Sequence, residues 1–201
     1  MAFWGSNHAG SEIQDPKRKF RWMVQITNYA NIARSTGQNL DSIESGEIWY
    51  AKTVTKPSFQ IQAAEHKYLN HTFYYPGGVT WQDVTMTLVD PRDPDQAASL
   101  SQLIEIAGYQ VPGNLNVRNT MSKSSATSAL GNFIITQLDA DGNGTEKWTL
   151  YNAFITDVKY GDLAYGDENL VEMSLTLKYD WAKCDVTDVG SFFDVANPPS
   201  Q

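Results

Sequence analysis

Residues 133–150 read FIITQLDADGNGTEKWTL, and two incompatible folds compete for them. The centre is patterned like a calcium loop, which needs oxygens at its first, third and fifth positions, Gly at the sixth and a bidentate Glu at the twelfth. Asp139, Asp141, Asn143 and Gly144 comply, but the twelfth position is Leu150. An EF-hand loop also lies between helices, whereas FIITQL enters and KWTLYNAFITDVKY leaves with the alternation of strands. Asp-Gly and Asn-Gly supply the positive-φ residues of a tight hairpin. The stretch is read as a hairpin tip, and no metal or other cofactor is expected.

The same period-two alternation extends in both directions. In KFRWMVQITN (19–28), Phe20, Trp22, Val24 and Ile26 are predicted to point one way. EIWYAKTVTKPSFQIQA (47–63) continues the pattern, with Pro57 at a bend or sheet edge. HKYLNHTFYYP and VTWQDVTMTLVD then pair across a turn at Pro76-Gly77-Gly78. In NLVEMSLTLKYDWA (169–182), Val171, Met173, Leu175, Leu177, Tyr179 and Trp181 are predicted to face inward along one strand. A helix breaks the series: Asp95 caps DQAASLSQLIEIAG, Ala97, Leu100, Leu103, Ile104 and Ala107 follow helical spacing, and Gly108 ends it. MSKSSATSALG (121–131) is compatible with a short helix, but its serines and threonines suit a surface loop better.

The chain has 201 residues, enough for one domain with a sizeable core. It carries 23 acidic and 15 basic residues, a formal net charge of -8. That balance argues against a broad nucleic-acid grip, which depends on cations displacing counterions. It does suit a surface past which a polyanion slides. A single cysteine, Cys184, excludes a disulfide framework. No apolar run reaches membrane-spanning length, and the first residues lack a signal peptide's apolar centre. There is no G-x-S-x-G elbow and no Walker loop, and GNGTEK lacks the third glycine of a dinucleotide fingerprint. His66 and His71 are predicted to leave opposite faces of one strand, and the acids of YGDLAYGDEN (160–169) lie in a turn. The chain is not read as an enzyme.

Residues 1–18 are read as an N-terminal arm, 19–182 as the β domain and 183–201 as a C-terminal tail. Phe3 and Trp4 in the arm and Phe192 and Phe193 in the tail are candidates for contacts with other subunits, or for packing back onto their own domain. Trp22, Trp49, Trp81, Trp148 and Trp181 fall in strands, where most such rings fill a core.

Four segments, in order, resemble the tail tube proteins of contractile-tailed, T-even-like bacteriophages: KRKFRWMVQI, WYAKTVTKPSFQI, HKYLNHTFYYPGGVTWQDVTMTLVDP and LYNAFITDVKYGDLAYGDENLVEMSLTLKYDWA. They cover Lys19 to Ala182, most of the chain. The resemblance implies a mainly β fold, two packed antiparallel sheets with a flanking α-helix. It further implies self-assembly into stacked hexameric rings whose strands form one barrel around a lumen, through which viral DNA is ejected without specific binding. Its implied partners are a tail sheath protein, a tape-measure protein and a baseplate initiator, with no membrane, in a virion tail assembled in the bacterial cytoplasm. The loop 29–46 and the tail after Ala182 are longer than in that family. If strands 58–75 and 133–158 build the inner barrel, the candidates to face the lumen are Gln60, Gln62, Asn70, Thr72, Gln137 and Asp157. The alternative function is a calcium-assisted, glycan-binding β-sandwich that uses DADGNG and exposed tryptophans.

Overall fold

A computed structural model describes residues 16–28, 48, 50–92, 95–113, 120–187 and 189–193. The strands are β1 (Trp22–Ile26), β2 (Ala51–Val54), β3 (Phe59–Tyr68), β4 (His71–Trp81), β5 (Val84–Val89), β6 (Phe133–Leu138), β7 (Gly144–Tyr151), β8 (Phe154–Lys159), β9 (Glu172–Lys178), β10 (Trp181–Val186) and β11 (Gly190–Phe192). Two helices, α1 (Gln96–Ile106) and α2 (Lys123–Leu130), lie between β5 and β6. The strands form a five-stranded sheet β1-β6-β7-β10-β11, a four-stranded sheet β2-β5-β9-β8 and a separate two-stranded ribbon β3-β4, all antiparallel. The expected fold class, mainly β with two packed antiparallel sheets and a flanking helix, is what the chain adopts, with a second helix and a ribbon added.

Alternation places the core between the two larger sheets. Ile26, Phe133, Leu150 and Ala182 form one row of the five-stranded sheet, and Val24 and Ile135 begin the next. They pack against Val84, Met86, Leu88, Met173, Leu175 and Leu177 of the four-stranded sheet in one buried cluster. Each fully buried Leu, Ile, Met or Phe contributes about 1.5–3 kcal/mol relative to exposure. Leu100 and Leu103 add α1 to this cluster. Asp95 caps α1 as read from the sequence, its carboxylate accepting from the Ala98 N–H at 2.9 Å.

The structure departs from the sequence reading at several places. Residues 123–130 are helical: Ser122 accepts from the Ser125 N–H, and Ala126 and Ala129 bury against Ala107 and Phe154. Small side chains that look loop-like in isolation are what close packing onto α1 and β8 requires. Phe20 lies before β1 and is 74% exposed, so it does not join the inward row. Pro76-Gly77-Gly78 is not a turn. It lies within β4, where Gly77 and Gly78 oppose Gln62 as the register shifts from Ile61↔Val79 to Ala63↔Pro76. The reversal is instead Leu69-Asn70. The stretch 169–182 is two strands: β9 ends at Lys178, and the chain crosses to the other sheet before β10 begins at Trp181. β10 continues to Val186, past position 183 where the tail was expected to begin, and β11 pairs with it.

Candidate assembly surface

Among the described residues the β3-β4 ribbon has no third strand, and every residue of β3 is exposed. Ten residues at 3.3 Å each give it a length of about 30 Å. A lone hairpin of this kind is marginal in water, and this one carries Ile61, Tyr68, Phe73, Tyr74, Tyr75 and Val79 exposed on its two faces. Its register puts His66 opposite Phe73 and His71 opposite Tyr68. Directly opposed residues share a face, so His66 and His71 lie on the same face rather than on opposite ones. The sequence reading treated them as one strand, and the hidden reversal between them changes the parity. His71 packs edge-on against Phe73, with centroids 4.6 Å apart. At the tip, Leu69 is 87% exposed with φ 51°. A bulky residue there pays for left-handed backbone and places an apolar side chain in water.

At its base the ribbon is anchored by aromatic rings. Phe59 lies 5.2 Å from Trp81, and Phe193 meets Phe59 and Trp81 at 5.6 Å and stacks on Trp148 at 6.5 Å. Phe193 thus touches its own domain through these rings, yet it is half exposed, as is Phe192 in β11. Phe3 and Trp4 lie outside the described residues, as do Trp49 and the loop 29–46. The described tryptophans, Trp22, Trp81, Trp148 and Trp181, are all partly buried and form no exposed stacking platform.

Among the described residues the four-stranded sheet has two outer strands without further partners, β2 on one side and β8 on the other. Both are bulged: the register skips Lys52 in β2 and Thr156 in β8. The sheet face turned away from the core is small and polar, with Thr85, Thr87, Ser174 and Thr176 in adjacent register positions. Lys52 pairs with Glu172, and Lys178 lies 3.6 Å from Asp83.

Among the described residues the sandwich is open between β1 and β2, leaving a groove of about 620 Å³. Trp22, Val54 and Ile135 make it apolar, and Lys17, Lys19, Lys52 and Lys56 surround it. Glu146 stands in the same row of the five-stranded sheet as Trp22 and Gln137. Burial works against the charge of its carboxyl, but Lys17, Lys56 and Trp148 all donate to it, the last two at 2.6 Å, and they lower its pKa to about 2.

The six residues expected to face a lumen are not brought together. Gln60, Gln62, Asn70 and Thr72 belong to the ribbon, Gln137 to the five-stranded sheet and Asp157 to the four-stranded one. The strands 58–75 and 133–158 therefore do not share a sheet. Gln137 is 8% exposed and donates to the Arg18 carbonyl at 2.9 Å, so it is turned into the protein. The 139–143 loop is a hairpin tip as read: Asp139 accepts from the N–H groups of Asp141 and Asn143, and Gly142 has φ 86°. The exposed ribbon, the bulged edges and the lysine groove carried no sequence motif. Only the mixture of aromatics with polar residues in 59–81 hinted at a strand pair apolar on both faces.

No protein-family model matches the chain, and no curated protein matches it. Solved structures do. One chain is from the anti-feeding prophage baseplate, sixfold symmetrised, at 12% identity and TM-score 0.59 over 88% of this chain and 99% of that one. Another is from the extended sheath-tube complex of an extracellular contractile injection system, at 14% identity and TM-score 0.60 over 87% and 94%. A third, from the anti-feeding prophage tube-terminating cap, aligns at 14% identity and TM-score 0.60 over 92% and 99%. At these identities the likeness is one of architecture: this chain carries the fold found in an anti-feeding prophage and in an extracellular contractile injection system.

Proposed function

We propose that the chain is a structural subunit of the tube of a contractile tail or injection machine, assembling as stacked hexameric rings around a conduit. The observation that carries this reading is the four-stranded sheet. Its outer strands, β2 and β8, run in opposite directions, so β8 of one copy continues antiparallel onto β2 of the next, and a ring of copies closes a single barrel with no free edge. The face that such a barrel turns to its lumen carries threonine, serine and paired charges. A surface of that kind lets a charged polymer pass without gripping it. Asp157, opposite Thr176, is the lumen candidate that this arrangement retains. Gln60, Gln62, Asn70 and Thr72 instead ride the ribbon, whose apolar faces call for burial against another copy. In a phage tail the cargo is DNA, and a sheath, a tape-measure protein and a baseplate are the partners of such a tube.

A second reading, a ring that starts or terminates a tube, is favoured by the likeness to chains of a baseplate and a terminating cap. Negative-stain microscopy of the pure protein over a rising concentration series separates the two. Long hollow tubes are expected of a tube subunit and single or double rings of an end component. Small featureless particles at the highest soluble concentration would count against both.

A further inference from the structure

The groove between β1 and β2 and the β8–β9 loop lie on opposite sides of the molecule's four-stranded sheet, and their chemistries are reciprocal. Four lysines line the groove above an apolar floor, and three of them reach carboxylates at its margins, Lys17 and Lys56 to Glu146 and Lys52 to Glu172 on the outer face of the sheet. Lys17 and Lys56 share Glu146, and Lys19 has no acidic partner among the described residues. This excess of positive charge stands out in a chain of net charge -8. The loop presents the converse, with Asp162, Asp167 and Glu168 around exposed Leu163 and Tyr165. Large apolar side chains fully in water between acids on a folded loop mark a surface with a partner.

We propose that the β8–β9 loop of one subunit docks head to tail into the lysine-walled groove of the next, its acids meeting the lysines and Leu163 and Tyr165 covering the apolar floor. The proposal rests on the ring reading and gives that ring its direction. Lys159, where β8 ends, is level across the sheet with Thr53 of β2 through Ser174 and Thr87. A copy whose β8 lies beside β2 therefore delivers its loop to the end of β2 where Lys52 stands. The same charges oppose the alternatives. Antiparallel pairing of β2 with β2 would bring Lys52 and Lys56 of the two copies together, and pairing of β8 with β8 would leave each acidic loop at the far end of the partner strand, away from any groove. A heterologous contact is what closes a ring.

Charge exchange tests it. Lys19→Glu is one variant, Asp162→Lys with Glu168→Lys a second, and all three substitutions in one chain a third. These side chains are exposed, so urea unfolding should show each monomer as stable as the parent. Ring assembly, read by light scattering and microscopy, should require on the order of tenfold more protein for the first two variants, and less for the third than for the second, because Lys19→Glu removes a lysine that the added loop lysines would otherwise face. If parental rings form and the first two variants match them, or the third fails to recover, docking is wrong and the ring reading stands. Failure without recovery is also the result expected if another segment of the same chain fills the groove. If the parent forms no rings at any soluble concentration, both readings fall together.

Discussion

Glu146 shows how one side chain ties the two sheets together. Its row faces the open end of the sandwich, and Lys56 reaches it from the segment joining β2 to β3. Because its folded pKa, about 2, lies below the 4.5 of an unperturbed glutamate, the carboxylate contributes stability that is complete above about pH 4.5 and lost as pH falls toward about 2. Glu146→Gln keeps the volume but leaves Lys17 and Lys56 without their shared anion. The variant should therefore be less stable at pH 7 by about 1–3 kcal/mol, and the difference should shrink through that acid window. Urea unfolding at a series of pH values checks this, and a gap unchanged between pH 7 and pH 3 would sink it.

Among the elements, the β3-β4 ribbon departs most from what single-chain stability requires. Its tip residue Leu69 holds a left-handed φ while almost wholly exposed. An Asn there tolerates the same backbone by local hydrogen bonding. Leu69→Asn is expected to stabilise the monomer by roughly 1 kcal/mol, since left-handed strain is relieved and little burial is lost. It should at the same time impair assembly if Leu69 inserts into another copy. Thermal unfolding of dilute monomer and scattering of concentrated protein report the two effects, and a variant neutral in both would show the tip to be idle. The ribbon also marks the limit of the sequence reading. Alternation revealed β1, β5, β6 and β9 because one of their faces meets a core. In 59–81 both faces carry apolar groups, so periodicity gave no inside, and Pro76-Gly77-Gly78 drew the turn away from Leu69-Asn70. The bulge explains Gly77, where a Cβ would stand 3.0 Å from the Gln62 carbonyl oxygen, whereas Gly78 faces open space. α2 was hidden for a related reason, since its serines and threonines have weak helix propensity and only packing onto α1 and β8 selects the helix. The groove joins residues far apart in sequence, Lys17 to Gln137, and no linear spacing could have displayed it.

At the scale of the whole molecule, edge direction and charge placement together set the kinds of oligomer available. A subunit with two unlike edges gains one interface for each copy added and a further one only when the ring closes, so open intermediates always keep one bare β2 and one bare β8. The bulges at Lys52 and Thr156 make those bare edges poor templates for indiscriminate pairing. The ribbon favours the same outcome, because its apolar groups are exposed on both faces of the single copy and the proposed ring would have to cover both. Sedimentation velocity across a concentration series should therefore show monomer and closed or stacked species, with dimers and trimers scarce throughout. The transition should be steep in protein concentration, as association that buries large surface per copy is. A stable dimer that accumulates and grows no further would instead indicate an isologous contact, which joins like edges. That outcome would remove both the barrel and the reason for the chain's segregated charges.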